Sequence, residues 1–335
     1  MTTLQSSSIG VIGAGAWGTA LAVSFARNGR QTALWGRNHQ DLVDLAARSE
    51  NARYLPGVRL LALPHVTRDL SSVMSSGVIV LAVPAQEIRT LAPLMALRAR
   101  ANQPVVICAK GIERGTGKMM TEVVSEFMPD VIPAVLSGPT FAREVAQGLP
   151  TAVTLACRDM DMATLLAGLF SGNVLRAYAT SDVTGVELCG AVKNVLAIAC
   201  GIAAGRNLGE NARAALITRG MAELRRLVVA MGGQADTLLG LAGVGDITLT
   251  CSSPQSRNFS LGLMLGQGQT IDEIEANPHK LAEGRFTASA VLQRAQEVNV
   301  DLPICAAVDA VLNQGAAIDA TIASILARPL KPEHL

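Results

Sequence analysis

Aromatic side chains are scarce in this sequence: 2 Trp, 2 Tyr and 6 Phe occur in 335 residues. That is too few for a base-stacking platform or for an interface built on aromatic anchors. An excess of one charge is also missing, since 28 Lys and Arg face 27 Asp and Glu. With no basic surplus to neutralise a phosphate backbone, nucleic-acid binding is excluded as the main function. The 6 cysteines form no C-x-x-C pair and sit mostly in apolar runs. That usage predicts reduced, buried thiols and a cytoplasmic protein. Four histidines (His39, His65, His279, His334) are scattered without ligand spacing, so no metal site is expected. No charge precedes Arg27, so the basic n-region of a signal peptide is absent. Further on, the longest uncharged run, 70–86, contains four serines and Pro84, and it predicts no membrane span. Lysine is rare too, with only Lys110, Lys118, Lys193, Lys280 and Lys331.

What remains is a chain that is 50% hydrophobic and has 31 glycines, long enough for about two domains. Short apolar runs at 9–13, 31–35, 78–83, 104–109, 134–136, 151–156 and 174–178 read as strands. Helical patterns at 16–28, 39–49, 86–99, 118–127, 141–147 and 160–170 separate most of them. Continuous apolar strands alternating with helices predict an α/β domain with a Rossmann-type, doubly wound parallel sheet. After about residue 182 no strand pattern is found, only Ala/Leu/Gly-rich helical stretches. The expected domains are therefore a dinucleotide-binding domain at 1–181 and an all-α substrate and catalytic domain at 182–335. A ligand cleft is expected between them. The apolar helical half also predicts a homodimer.

The first strand runs into Gly13-Ala-Gly15-Ala-Trp17-Gly18 and then a helix. In that context G-x-G-x-x-G has a specific use. Gly13 makes the tight turn, Gly15 lets a pyrophosphate approach the backbone, and Gly18 lets helix and strand pack closely. The helix N-terminus faces the anion. The second strand ends in Gly36-Arg37, where an NAD site usually carries an acid for the ribose 2′-hydroxyl. A guanidinium there suits a 2′-phosphate, so the expected cofactor is NADP(H), with NAD(H) as second choice.

Two lysines stand where apolar residues are expected. Lys110 follows the strand at 104–109, at the end that lines the crevice of an open α/β sheet. Lys193 lies on a predicted helix among Leu188, Val192, Val195, Leu196 and Ile198, with Asn194 beside it. Burial lowers a lysine pKa and suits it to proton transfer near neutrality. Asp246 and Thr250 share a face if their segment is helical. Ser256-Arg257-Asn258 offers a hydroxyl, a guanidinium and an amide, a set fitted to a phosphate monoester. Tyr-x-x-x-Lys is absent, because Val58 and Asp182 follow Tyr54 and Tyr178 at that spacing, which excludes a short-chain dehydrogenase.

These segments, with Ala109-Lys110-Gly111, Ser137-Gly138-Pro139-Thr140-Phe141-Ala142, Gly190-Ala-Val-Lys193-Asn194, Thr218-Arg219-Gly220 and Gln255-Ser256-Arg257-Asn258, resemble the bacterial glycerol-3-phosphate dehydrogenase family. The resemblance spans most of the chain. It implies reversible reduction of dihydroxyacetone phosphate to sn-glycerol 3-phosphate with NAD(P)H, feeding phospholipid synthesis. It implies Lys193 as proton donor and acceptor, with Asp246 beside it. Substrate contacts would be Lys110, Gly138, Thr140, Lys193, Asp246, Ser256, Arg257 and Asn258. Beyond the glycine turn, cofactor contacts would be Trp17, Arg37, Lys110, Ala142, Arg257, Leu281 and Glu283. Thr140 departs from the expected serine but keeps the hydroxyl, and the match at Leu281 and Glu283 is loose. The competing readings are a related dehydrogenase of ketopantoate or a sugar acid, and a non-catalytic NADP sensor.

Overall fold

The computed structural model describes residues 7–276 and 282–329. The first half runs β1 (Ile9–Ile12), α1 (Ala16–Arg27), β2 (Thr32–Trp35), α2 (His39–Arg48), β3 (His65–Thr67), α3 (Leu70–Met74), β4 (Val78–Leu81), a 3₁₀ turn (Ala85–Glu87), α4 (Ile88–Ala96), β5 (Pro104–Ile107), α5 (Met120–Phe127), β6 (Ile132–Ser137), α6 (Ala142–Gln147), β7 (Thr151–Cys157), α7 (Met160–Phe170) and β8 (Leu175–Thr180). The second half contains α8 (Val183–Gly205), α9 (Gly209–Ala230), α10 (Asp246–Ser252), α11 (Arg257–Gly266), α12 (Ile271–Glu275), α13 (Gly284–Glu297), α14 (Pro303–Asn313) and α15 (Ile318–Leu326). No strand is assigned after β8 among the described residues.

The eight strands form one sheet in the order β3-β2-β1-β4-β5-β6-β7-β8. β1, β4 and β5 are buried along their whole length, which is why their sequences read as unbroken apolar runs. Residues of α1 and α7 join the core on one face, and residues of α3, α4 and α5 join the core on the other. The sheet is thus doubly wound, as the alternation predicts. The chain leaves β1 toward β2 on one side, and β4 returns on the other. That reversal opens a crevice at the carboxyl ends of the strands.

Two features depart from the expected pattern. β3 is a three-residue edge strand whose residues are exposed or half-buried, so it leaves no apolar run to detect. β6 and β7 pair antiparallel, from Ala134 with Cys157 to Ser137 with Thr154, whereas every other neighbouring pair is parallel. Their connection carries only the six-residue α6, and the chain re-enters the sheet from the end where it left.

α8 is the axis of the helical half. By length and composition it could cross a membrane, but 89% of its most apolar window is buried inside the protein. Glu187 and Lys193 interrupt it, so its sequence contains no long uncharged run. α11 packs directly on it: a Cβ at Gly201 would overlap the Phe259 carbonyl, and one at Gly262 would overlap the Ile198 carbonyl. The backbones therefore touch, and this contact fixes the N-terminus of α11 relative to Lys193.

Candidate active site

The glycine turn ends β1 as expected. Gly13 has φ +115°, and a Cβ there would stand 2.5 Å from the Ala82 carbonyl oxygen, so only glycine fits. Gly18 packs on the Gly13 carbonyl, where a Cβ would overlap. Gly15 is the N-cap of α1, has no side chain to cap it, and has open space where a Cβ would be. The first N–H groups of α1 thus line a cradle with no side chain in the way, which fits a pyrophosphate. Trp17 is half-buried in the first turn, and its side chain lies near the Cys108 thiol just after β5. Ala142, at the start of α6, is half-buried against the same core cluster that Trp17 borders. Arg37 is exposed just beyond β2, and its Nη1 lies 3.0 Å from Glu87 Oε2.

Across the crevice the two singled-out lysines meet one carboxylate. Lys193 Nζ donates to Asp246 Oδ1 at 2.7 Å and to Thr250 Oγ1 at 2.9 Å. Lys110 Nζ donates to Asp246 Oδ2 at 2.7 Å and to the Gly138 carbonyl at 3.2 Å. α10 is helical, so Thr250 falls one turn beyond Asp246 and donates to its Oδ1 at 3.2 Å. Asp246 is 1% exposed and Lys193 7%. Burial pushes the Lys193 ammonium down to about 8, with Lys110 assisting and Asp246 opposing. For Asp246 burial acts upward, but the two ammonium groups outweigh it and hold the carboxyl below its ordinary value.

Gly138 has φ +145°, and a Cβ would lie 2.9 Å from Val153 Cα, so the bend after β6 also demands glycine. Its carbonyl accepts from Lys110 and, at 3.2 Å, from the Thr140 hydroxyl.

Ser256 caps α11, its Oγ accepting from Phe259 N–H at 3.3 Å. The Ser-Arg-Asn cluster therefore sits at a helix N-terminus, an anion-favouring position that residue types alone do not disclose. Arg257 is exposed there. Asn258 is buried and largely committed: its Nδ2 donates to Asn194 Oδ1 at 3.0 Å, and its Oδ1 accepts from Gly284 N–H at 3.0 Å. Asn194 Nδ2 in turn donates to the Lys110 carbonyl at 3.1 Å. One amide hydrogen of Asn258 is left for a ligand. This relay runs from α13 through α11 and α8 to the loop after β5, and it ties the helical half to the sheet. Asn194 is the member that residue types alone did not assign to the site.

Glu283 precedes α13, and its Oε1 accepts from Ala85 N–H at 3.4 Å. Burial raises its pKa, opposed by the nearby Arg257 charge. Leu281 and His279 lie outside the described residues. No group of three or more His, Cys, Asp or Glu could hold a metal ion among the described residues.

Comparison with known proteins covers both halves of the chain. Residues 8–163 match the model described as NAD-dependent glycerol-3-phosphate dehydrogenase N-terminus, and residues 182–323 match its C-terminus. A glycerol-3-phosphate dehydrogenase (NAD(P)+) of Azorhizobium caulinodans is 51% identical, covering 97% of this chain and 98% of its own. One from Parvibaculum lavamentivorans is 46% identical, covering 99% of both. The crystal structure of glycerol-3-phosphate dehydrogenase from Coxiella burnetii superposes with TM-score 0.90 at 37% identity, over 97% of this chain and 100% of that one. A ketopantoate reductase from Ralstonia eutropha, at TM-score 0.58 and 15% identity, shares the fold alone. This chain belongs to the NAD-dependent glycerol-3-phosphate dehydrogenase family.

Proposed function

We propose that this protein catalyses the NAD(P)H-dependent, reversible reduction of dihydroxyacetone phosphate to sn-glycerol 3-phosphate. The observation that carries this reading is the buried Lys193–Asp246–Lys110 bridge beside the N-terminus of α11. The bound nicotinamide cofactor supplies a hydride to the ketone carbon. Lys193, as an ammonium, donates its proton to the oxygen at C2 as negative charge develops there, and it recovers the proton in the reverse direction. Asp246 aims both ammonium groups. Two cations against one anion leave one positive charge over, which matches the developing alkoxide.

Arg257, Ser256, the free amide hydrogen of Asn258 and the N-terminus of α11 hold the phosphate. Binding energy gathered there, away from the reacting carbon, orients the ketone. Lys110, Gly138 and Thr140 flank the substrate from the sheet side. Gly13, Gly15, Trp17, Gly18, Arg37, Lys110, Ala142, Arg257 and Glu283 form the cofactor side, with Arg37 on the 2′-phosphate of NADP(H). Loss of NADPH absorbance on adding dihydroxyacetone phosphate, but not ketopantoate, supports the assignment. NADPH binding without turnover of either ketone contradicts it and favours a sensor.

A homodimer is part of the proposal. α15 is apolar yet has no buried residue. Beside it lies a mainly apolar groove of about 1190 Å³ between α9 and α14–α15. Exposed apolar surface of this extent fits a second copy. Sedimentation of Leu326→Asp as a smaller species than the parent supports that role, and an unchanged sedimentation coefficient contradicts it. The six free thiols, all buried, accord with a reducing, cytoplasmic setting.

A further inference from the structure

Arg37 and Glu87 sit on opposite sides of the glycine turn. Arg37 follows β2 and Glu87 ends the 3₁₀ turn after β4, the two strands that flank β1. Their side chains reach across the carboxyl end of β1 to form an ion pair at 3.0 Å. The pair is open to solvent, with side-chain exposures of 73% and 43%. The first residue of the same turn, Ala85, donates its N–H to Glu283. The turn therefore touches the adenosine side with one end and the helical half with the other.

We propose that Glu87 is a positioning residue that sets coenzyme preference by competing with the 2′-phosphate for Arg37. This rests on the reading of Arg37 as the 2′-phosphate contact. A site selective for NAD(H) places an acid on the ribose 2′-hydroxyl at the end of the second strand. Here the acid arrives from the other side of β1 and engages the guanidinium. NADPH must draw Arg37 away from Glu87 and set a phosphate dianion near that carboxylate. NADH leaves the pair intact. An exposed ion pair exchanges partners at little cost, so Glu87 does not exclude NADPH but narrows its advantage. The device suits a protein that accepts both coenzymes.

The test is fluorescence titration of NADPH and NADH against the full chain and its Glu87→Gln, Arg37→Ala and double variants. No turnover is needed. Glu87→Gln should tighten NADPH about three- to fivefold at low ionic strength, with NADH changed less than about twofold. Raising the salt should shrink the gain. Arg37→Ala should weaken NADPH about tenfold or more. On that background Glu87→Gln should shift the NADPH-to-NADH ratio by less than about twofold. If Arg37→Ala moves the ratio and Glu87→Gln does not, the role of Glu87 is overturned and that of Arg37 stands. If Arg37→Ala leaves the ratio unchanged, both fall.

Discussion

The carboxylate of Asp246 lies 2.7 Å from the ammonium of Lys193, in surroundings that leave them 1% and 7% exposed. Its second oxygen is 2.7 Å from Lys110. A buried carboxylate in isolation is strongly disfavoured, and a buried ammonium likewise. Each group here is tolerable only because the others are present. The same arrangement holds Lys193 in one orientation with a pKa close to the working range of a proton donor.

Lys193→Ala removes the donor and leaves Asp246 paired with Lys110. The expected loss in kcat is about 10²- to 10⁴-fold, the range of positioned acid–base groups. NADPH Kd should change little, because the glycine turn is untouched. Steady-state kinetics with a separate coenzyme titration checks both. Near-parental turnover would remove Lys193 from the proton transfer.

Arg257→Ala should act mainly on KM for the phosphorylated ketone. Loss of a charge-assisted contact corresponds to about a 10- to 100-fold rise. The variant should lose its advantage for dihydroxyacetone phosphate over unphosphorylated dihydroxyacetone. An unchanged selectivity between those two substrates would place the phosphate elsewhere.

Glu187, on α8, reaches α5. Its carboxylate accepts Thr121 N–H at 3.0 Å and Thr121 Oγ at 2.6 Å. Burial pushes its carboxyl up to about 7. A raised folded-state pKa means that stability from this group is full below the unfolded value and is lost as pH rises toward 7. Glu187→Gln keeps the shape and does not titrate. Its melting temperature relative to the parent should rise by a few degrees between pH 5 and pH 8, an effect of up to about 3 kcal/mol. A difference that is constant with pH would show that the carboxyl is not displaced.

The parts of this architecture legible in the sequence are those with a steric or chemical reason to be local. Gly13 and Gly18 stand where a Cβ collides with backbone, and the turn they make carries its own spacing. Lys193 is conspicuous because an ammonium interrupts an apolar helix. Asp246 and Thr250 declared their shared face through helical spacing. What escaped depends on distant chain. The Lys110–Asp246 contact joins residues 136 apart, and no local pattern foretells it. Nor does any mark Glu87 as the partner of Arg37. The antiparallel entry of β7 follows from where α6 docks, and β3 is too short and too exposed to leave a pattern. Asn258 reads as a phosphate ligand by type, but most of its hydrogen-bonding capacity serves Asn194 and Gly284.

The role proposed for Lys193 is that of an ammonium acid tuned by Asp246. The direct measurement is kcat/KM for dihydroxyacetone phosphate against pH, at saturating NADPH, in the parent and in Asp246→Asn. The parent should hold a plateau below about pH 8, where Lys193 is protonated, and fall about tenfold per pH unit above it. The oxidation direction should mirror this, falling below the same pH. Removing the anion favours the neutral amine, so the break in Asp246→Asn should move down by about one unit or more, with a lower plateau. A break at the same pH in both proteins would contradict the assignment of Lys193 and Asp246 as a coupled proton-transfer pair.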